Sequence, residues 1–377
     1  MAESITPDQV RLTNSENIYR FIYKHQRVSQ MDLHYELRLS RPTITANLKW
    51  MEETGLIRRE GQVDSGLAGR KAIGYALSPS YRLSVGLQLL AHEIKIMITD
   101  LLGGIVHGQI VQIEYANDDA YFRDVCGKLM DFLSDSACDP GQVLGVGIAV
   151  QGLTSPDGQS IIYGKILDCR GLTVDVFEKY LPFPCLFVHD SFSAATSELW
   201  ASPDLKDAFY LSLCDHLGAA LISNGRISLG MHGHNATIEH IQIVPGGKRC
   251  YCGNYGCVET MVSVDSLLEE HETLETFFSG VRSGDPDFLR RWEHYLSGLS
   301  SLIYGIHLIY DVPIILGGDL AAYLLNEDID SIYRHIQPKI PFLEEQDYIC
   351  LSKMPLHGIT RGASLPFITR FLEHPCS

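Results

Sequence analysis

Residues 83–115 read LSVGLQLLAHEIKIMITDLLGGIVHGQIVQIEY, and this stretch decides the fold. Its apolar pattern, broken at two turns, predicts strand, turn, strand, turn, strand. A helical segment follows, with Phe122, Val125, Cys126, Leu129 and Phe132 in helical period. Then comes VLGVGIAVQG (143–152), which reads as a buried strand. The theme returns in AFYLSLCDHLGAALISNGRIS (208–228), again strand, turn, strand, and VPIILGGDL (312–320) is a late strand entering a glycine turn. Two α/β halves that each open on a β-meander predict a duplicated fold with a cleft between two lobes.

The chain has 377 residues, enough for two or three cored domains, and its 45% hydrophobic and 20% charged content is that of a soluble globular protein. No run approaches the ~18 apolar residues of a membrane span, and the first twenty residues hold no apolar signal-like stretch. The expectation is a cytoplasmic protein without membrane contact, in which the ten cysteines stay reduced. Net charge is −16, but residues 1–81 carry +2 and the remainder −18. A slightly basic head on an acidic body points to the head as the part that meets DNA.

The head reads as three helices and a hairpin. Ile18, Phe21 and Ile22 share one helix face. Ser29 followed by Asp32 is a capping-box pattern opening a second helix, with Leu33 and Leu37 on its apolar face. Ser40 is a natural N-cap for a third, Pro42 is tolerable in its first turn, Ile44, Leu48 and Met51 face the core, and Gly55 ends it. Two short helices joined tightly form a helix-turn-helix pattern. The outward face of the third carries Thr43, Thr45, Ala46 and Lys49, which suit base edges and thymine methyls, and Arg41 stands at its start. Ile73, Tyr75 and Leu77 alternate in a hairpin whose loop holds Gly61, Gly66 and Gly69, as in the wing of a winged helix. Arg58, Arg59, Arg70 and Lys71 are then available for phosphates or a minor groove. A helical protein-interaction domain shares this periodicity and is the alternative.

Five stretches carry a resemblance: LSRPTITANLKWMEETGLI (39–57), GVGIAVQGLTSPDG (145–158), VHDSFSAATSE (188–198), GAALISNGRISLG (218–230) and GGKRCYCGNYGCVET (246–260). With them the chain resembles, over almost its whole length, the ROK family of repressors, open reading frames and sugar kinases. It is most similar to the branch with an N-terminal winged helix, which includes xylose-, glucose- and N-acetylglucosamine-responsive repressors. The resemblance implies a winged helix-turn-helix over 1–81 and a two-lobed actin-like (sugar-kinase) domain over 82–377. Its lobes are expected at about 82–190 with a C-terminal helix at 360–374, and at 191–359.

Three of the ten cysteines fall within eight residues, and His240 precedes them in the spacing H-x9-C-x-C-x4-C. One imidazole and three thiolates suit tetrahedral Zn²⁺; the alternative is a redox-active or merely buried set of thiols. The resemblance implies His240, Cys250, Cys252 and Cys257 as ligands of a structural zinc that braces a sugar pocket. It also implies that His240 and Glu259 shape that pocket, with Gly152, His189, Asp190 and Thr237 as its other candidate residues. Asp190 stands where family kinases hold their base, but His189 replaces an asparagine, and Thr237 replaces the glutamate of the family's E-x-G-H motif.

A family kinase carries D-x-G-G-T and G-T-G-x-G-x-G phosphate loops. Here the first reads GLQLLAHE, with Gln88, Leu90 and Ala91 at the aspartate and glycine positions, and the second reads CDHLGAA, keeping Gly218. The glycines let backbone N–H groups reach phosphates, so the expectation is that ATP binding and catalysis are lost. The resulting reading is a DNA-binding regulator, a repressor of carbohydrate genes. It would bind a palindromic duplex as a homodimer or higher oligomer and answer to a sugar or sugar derivative. An active sugar kinase, and a regulator whose effector is a protein or a sugar phosphate, are the alternatives.

Overall fold

The structure is a computed structural model that describes residues 7–63, 72–341 and 347–376. Arg70 and Lys71, and the loop glycines Gly66 and Gly69, lie outside the described residues.

The head contains α1 (Pro7–His25), β1 (Arg27–Val28), α2 (Gln30–Leu37), α3 (Arg41–Glu53), β2 (Ile57–Val63) and β3 (Ala72–Leu77). The caps are those expected from the sequence. Ser29 Oγ accepts the Asp32 N–H while Asp32 accepts the Ser29 N–H, and Ser40 Oγ accepts the Thr43 N–H. Ile44, Leu48 and Met51 close a core with Ile18, Tyr19, Ile22 and Leu33. Three features differ from the sequence reading. The first helix begins at Pro7, ahead of the stretch NSENIYRFIYKHQ (14–26) that reads as helical in the sequence, a two-residue strand β1 joins β3 to make the sheet three-stranded, and Gly61 is not in the loop. Gly61 sits inside β2 at φ +62, where the register with β3 shifts, so its glycine serves a bulge. Ile73, read as alternating with Tyr75 and Leu77, is 48% exposed and lines a groove with Gln30, Met31 and Arg41.

The first lobe is built on β4 (Leu83–Leu89), β5 (Glu93–Asp100), β6 (Ile105–Gln112), α4 (Asp119–Asp135), β7 (Val143–Val150), β8 (Leu153–Thr154), β9 (Ile161–Tyr163), α5 (Asp175–Glu178), β10 (Cys185–His189) and α6 (Asp190–Ala201). The second holds β11 (Ala208–Leu213), β12 (Leu217–Ser223), β13 (Arg226–Ile227), α7 (Glu259–Val262), α8 (Val264–Leu267), α9 (Leu274–Ser283), α10 (Pro286–His307), β14 (Ile314–Gly317), α11 (Asn326–Ile336) and β15 (Ile349–Leu351). The last helix, α12 (Gly358–Glu373), returns to the first lobe. The sheets run β10-β7-β4-β5-β6 and β13-β12-β11-β14-β15, the same order once each half is numbered from its first strand. In both, the opening meander pairs antiparallel and the later strands add in parallel. The duplication read from the apolar pattern is therefore real in topology.

Each lobe has its own core, and a third cluster rich in alanine lies between them, around Ala149, Ala194, Ala195, Ala220 and Ala363. Small residues let α12 lie directly on the first sheet. A Cβ on Gly86 or Gly147 would fall 1.8 Å from the carbonyl oxygen of Thr360 or Ala363, and one on Gly362 would meet Ser193 O of α6 at the same distance. At its far end α12 reaches the head. Phe371 stacks edge-on to Tyr19 of α1 at 6.2 Å, and Arg20 donates to the Glu373 carbonyl.

Candidate functional site

The C-terminal ends of the parallel strands β7 and β10 open onto the cleft, the usual ligand position in an open α/β sheet. A cavity of about 240 Å³ lies there. Gln151 and Gly152 reach it from the end of β7, and His189, Asp190 and Ser191 from the β10–α6 junction. His216 comes from the β11–β12 turn and Gly218 from the start of β12, and Thr237, Glu239, His240 and Tyr251 from the long loop that carries the cysteines. Both lobes contribute, so the pocket depends on how they meet.

Five of the six expected effector residues line this pocket: Gly152, His189, Asp190, Thr237 and His240. Glu259 is placed differently. It is 5% exposed, lies outside the lining, and accepts hydrogen bonds from the Leu217 N–H and from His216 Nδ1 at 2.9 and 2.7 Å. Its start-of-helix position in α7 aims it at the β11–β12 turn instead. Burial alone would lower the His216 pKa, but the Glu259 hydrogen bond and charge prevail and raise it.

The pocket also holds groups the sequence reading passed over. Glu239, which the sequence reading did not single out, has a side chain 13% exposed, with its Oε1 3.8 Å from His240 Nε2. Burial pushes it up to about 8. Tyr251, between two of the cysteines, puts its ring edge-on to both His216 and His240, at 5.3 and 5.1 Å. Asp190 accepts from the Ser191 N–H and hydroxyl through one oxygen. Burial lowers the pKa of His189, which keeps its ring neutral.

Beside the pocket, ligand atoms of His240, Cys250, Cys252 and Cys257 all lie within 4.8 Å of one another, a set able to hold a metal ion. Cys250 Sγ is 3.7 Å from His240 Nδ1, and Cys252 Sγ is 3.8 Å from Cys257 Sγ.

The other end of the cleft is closed. Gln88 accepts a hydrogen bond from Thr360 Oγ1 at 2.8 Å. A Cβ on Gly218 would meet Ser191 Oγ at 1.9 Å, so the β11–β12 turn packs tightly on the start of α6. Lys95 bridges Glu93 and Asp319, each at 3.7 Å. The cavity left between Gln88, Lys95, Cys214, Gly318 and Asp319 is about 10 Å³, room for about one water at most.

On the head, Thr45, Ala46 and Lys49 are exposed along α3, with Arg41 exposed at its start. Thr43 is half-buried, and its hydroxyl shares a hydrogen bond with Ser40 Oγ at 2.8 Å. Three cations have acidic partners that the sequence did not reveal: Lys49 with Glu53, Arg58 with Glu60 and Arg59 with Glu52. Arg58 also shares a groove with Leu102 of the body, which Arg59 does not.

Comparison with known proteins is decisive on kinship. The ROK family profile matches residues 84–341. The chain belongs to the ROK family. Among its relatives, the DNA-binding transcriptional dual regulator NagC of Escherichia coli K12 is 27% identical over 283 residues, covering 74% of this chain and 69% of NagC. The transcriptional repressor Mlc of the same strain is 26% identical over 285 residues, covering 74% and 70%. The xylose repressor of Bacillus subtilis 168 is 25% identical over 271 residues, covering 71% and 70%. In structure, a ROK family transcriptional regulator homologous to E. coli Mlc superposes with a TM-score of 0.75 at 21% identity, covering 96% of this chain and 97% of that one. A ROK family glucokinase from Streptomyces griseus gives 0.66 at 19% identity, covering 75% and 98%. Family membership and the winged-helix plus actin-like architecture are thus as the motifs implied. Among the described residues no helix is long and apolar enough to cross a membrane.

Proposed function

We propose that this chain is a DNA-binding transcriptional regulator, a repressor of carbohydrate uptake or metabolism genes, whose hold on DNA is set by a sugar or sugar derivative in the interlobe pocket. One observation carries the reading. A winged helix-turn-helix is joined to a sugar-kinase-like cleft whose sugar end is open and whose nucleotide end is filled by Gln88, Lys95 and the β11–β12 turn. The regulatory names of its ROK relatives agree with it. Phosphoryl transfer needs a cradle for the phosphates and their metal, and the closed end offers none. Asp190 is then a hydrogen-bonding partner for a sugar hydroxyl and not a catalytic base.

For the metal we propose zinc in a structural role. Four ligands at ~2.1–2.3 Å in a tetrahedron stand about 3.6–3.8 Å apart, the spacing of the two side-chain pairs here. His240, Cys250, Cys252 and Cys257 would fill every position, leaving none for a reacting water. Bound zinc would supply cross-linking of a loop with little core of its own, and so hold His240 and Tyr251 at the pocket wall.

For DNA, α3 would enter the major groove with Thr45, Ala46 and Lys49 toward base edges, while Arg41 and Thr43 sit at its entry. Arg59, Arg70 and Lys71 would serve phosphates or the minor groove. Arg58 faces the body, so its contact with DNA would require leaving Glu60. A homodimer on a palindromic operator, working in the cytoplasm, completes the proposal. The route from pocket to head would run through α6, whose Asp190 and Ser191 line the pocket, to α12, which packs on α6, is about 24 Å long at 1.5 Å per residue and ends against Tyr19. The test is a melting screen of sugars followed by operator binding with and without each ligand that raises the melting temperature. A stabilising sugar that leaves DNA affinity unchanged would refute the coupling.

A further inference from the structure

Helix α6 begins in the pocket and ends against the head. Its first residues, Asp190 and Ser191, line the cavity, and its twelve residues carry it about 18 Å at 1.5 Å per residue. On the last turn, Trp200 Nε1 donates to the Leu102 carbonyl at 2.9 Å, and the Trp200 ring meets Tyr23 of α1 edge-on, with centroids 6.5 Å apart. Leu102, in the β5–β6 turn, packs against the core of the head. That turn is stiff. Asp100 accepts the Leu102 and Gly104 N–H groups at 2.9 and 2.8 Å, and a Cβ on Gly103, at φ +77, would lie 2.3 Å from Trp200 Nε1. Arg361 of α12 ties the turn to α6 a second time, donating to the Gly103 carbonyl and to Ser197 Oγ, each at 2.7 Å.

The second lobe holds the same end of α6. Glu198, 3% exposed, accepts from Ser352 Oγ at 2.6 Å and from the Lys353 N–H at 3.0 Å, and these residues directly follow β15. A sugar that draws the lobes together would act on α6 at Asp190 and Ser191 through the pocket, and at Glu198, two residues before Trp200. A close-packed interior transmits such a shift instead of absorbing it.

We propose that Trp200 couples the pocket to the DNA-binding head, passing displacement of α6 to Tyr23 and to the Leu102 turn. This deepens the proposed function and rests on it, by naming the contact through which the pocket regulates the head. Trp200 lies outside the pocket lining and is a positioning residue. α12 meets α1 at Tyr19, and Trp200 meets it one turn further on, so the two contacts together set the orientation of that helix.

The test uses the full-length, metal-loaded protein and a duplex enriched by selection, with xylose, glucose and N-acetylglucosamine as probes. Trp200→Phe keeps a ring and loses the N–H donor, while Tyr23→Leu removes the ring on the head side. Each should leave sugar affinity and sugar-free DNA affinity unchanged. Each should cut the sugar-induced change in DNA affinity to about its square root, which is half of the coupling free energy. The double variant should lose no more than the stronger single one, as members of one path do. A sugar effect equal in wild type and both variants would overturn the coupling and leave the proposed function standing. Loss of sugar affinity together with melting temperature in Trp200→Phe would reduce the residue to a structural one and overturn it too. Amide exchange supplies an arm that needs no sugar. Coupling is reciprocal, so bound duplex should slow exchange at residues 190–194 in wild type and not in Trp200→Phe. Absence of that protection in wild type would overturn the coupling even where no probe binds. A protein that binds no duplex would fail the proposed function itself, and the coupling with it.

Discussion

Lys95 Nζ, on the central meander of the first lobe, lies 3.7 Å from Asp319 Oδ2, on the glycine turn of the second. The ammonium joins the two lobes beside the cavity of about 10 Å³. Side-chain exposures of 17% and 43% place this pair between the surface and buried limits, so it contributes about 1 kcal/mol, and removing one partner costs somewhat more. Lys95→Met should therefore lower stability by about 1–2 kcal/mol and loosen the lobes. Urea unfolding gives the first quantity and small-angle scattering the second. Asp319→Asn added to Lys95→Met should recover part of the loss, because the charge at 319 is then gone and Glu93 keeps its hydrogen bond from Gln112.

The proposed loss of the nucleotide site predicts no sugar kinase activity. A coupled ATP assay across hexoses, pentoses and amino sugars should read background. Turnover near ~1 per second, within the ordinary enzyme range, would contradict the account.

Purified protein should carry about one zinc per chain, bound with a tetrahedral S₃N shell that X-ray absorption would report. Cys252→Ser should lower the melting temperature and weaken sugar binding together, since Tyr251 lies between two ligands and faces the pocket. Freely titratable thiols at 250, 252 and 257 in folded protein would rule the site out.

His216 gives a pH prediction. Burial opposes its charge, but Glu259, Asp265 and Asp215 raise its folded pKa above the ordinary histidine value. The proton is therefore held more tightly in the folded state. Its contribution is complete below about pH 6.5 and is lost as pH rises through the folded value. The stability difference between wild type and His216→Gln, measured with zinc saturating, should shrink from pH 6 toward pH 8. A difference that is flat or grows with pH would reject the charged His216–Glu259 pair.

What could be read from sequence was local. Ser29 and Ser40 cap helices through side chains that act within three residues, so their pattern is visible in the string. The cysteine loop is similar, with three of its four candidate ligands in eight residues and His240 ten before the first. The repeated meander announced two lobes because strand period is a property of adjacent residues. Long-range partners left no such trace. Nothing near residue 95 names Asp319, and nothing near Glu259 says that the Leu217 N–H will claim it. Gly61 shows a subtler limit. Glycine marks an unusual backbone, but only the pairing with β3 tells a bulge from a loop.

The central claim is that the head reads DNA and the pocket governs it. Selection from random duplexes tests this most directly, run with wild-type protein and with Thr45→Ala, Lys49→Ala and Arg70→Ala. Wild type should enrich a palindrome. Thr45→Ala and Lys49→Ala should shift the preferred bases, as side chains on the exposed face of α3 would. Arg70→Ala should weaken all sequences alike and flatten the salt dependence by about one unit. Adding a sugar that raises the melting temperature should change operator affinity by roughly 5–150-fold. A wild-type protein that enriches no motif, with or without sugar, would contradict the account.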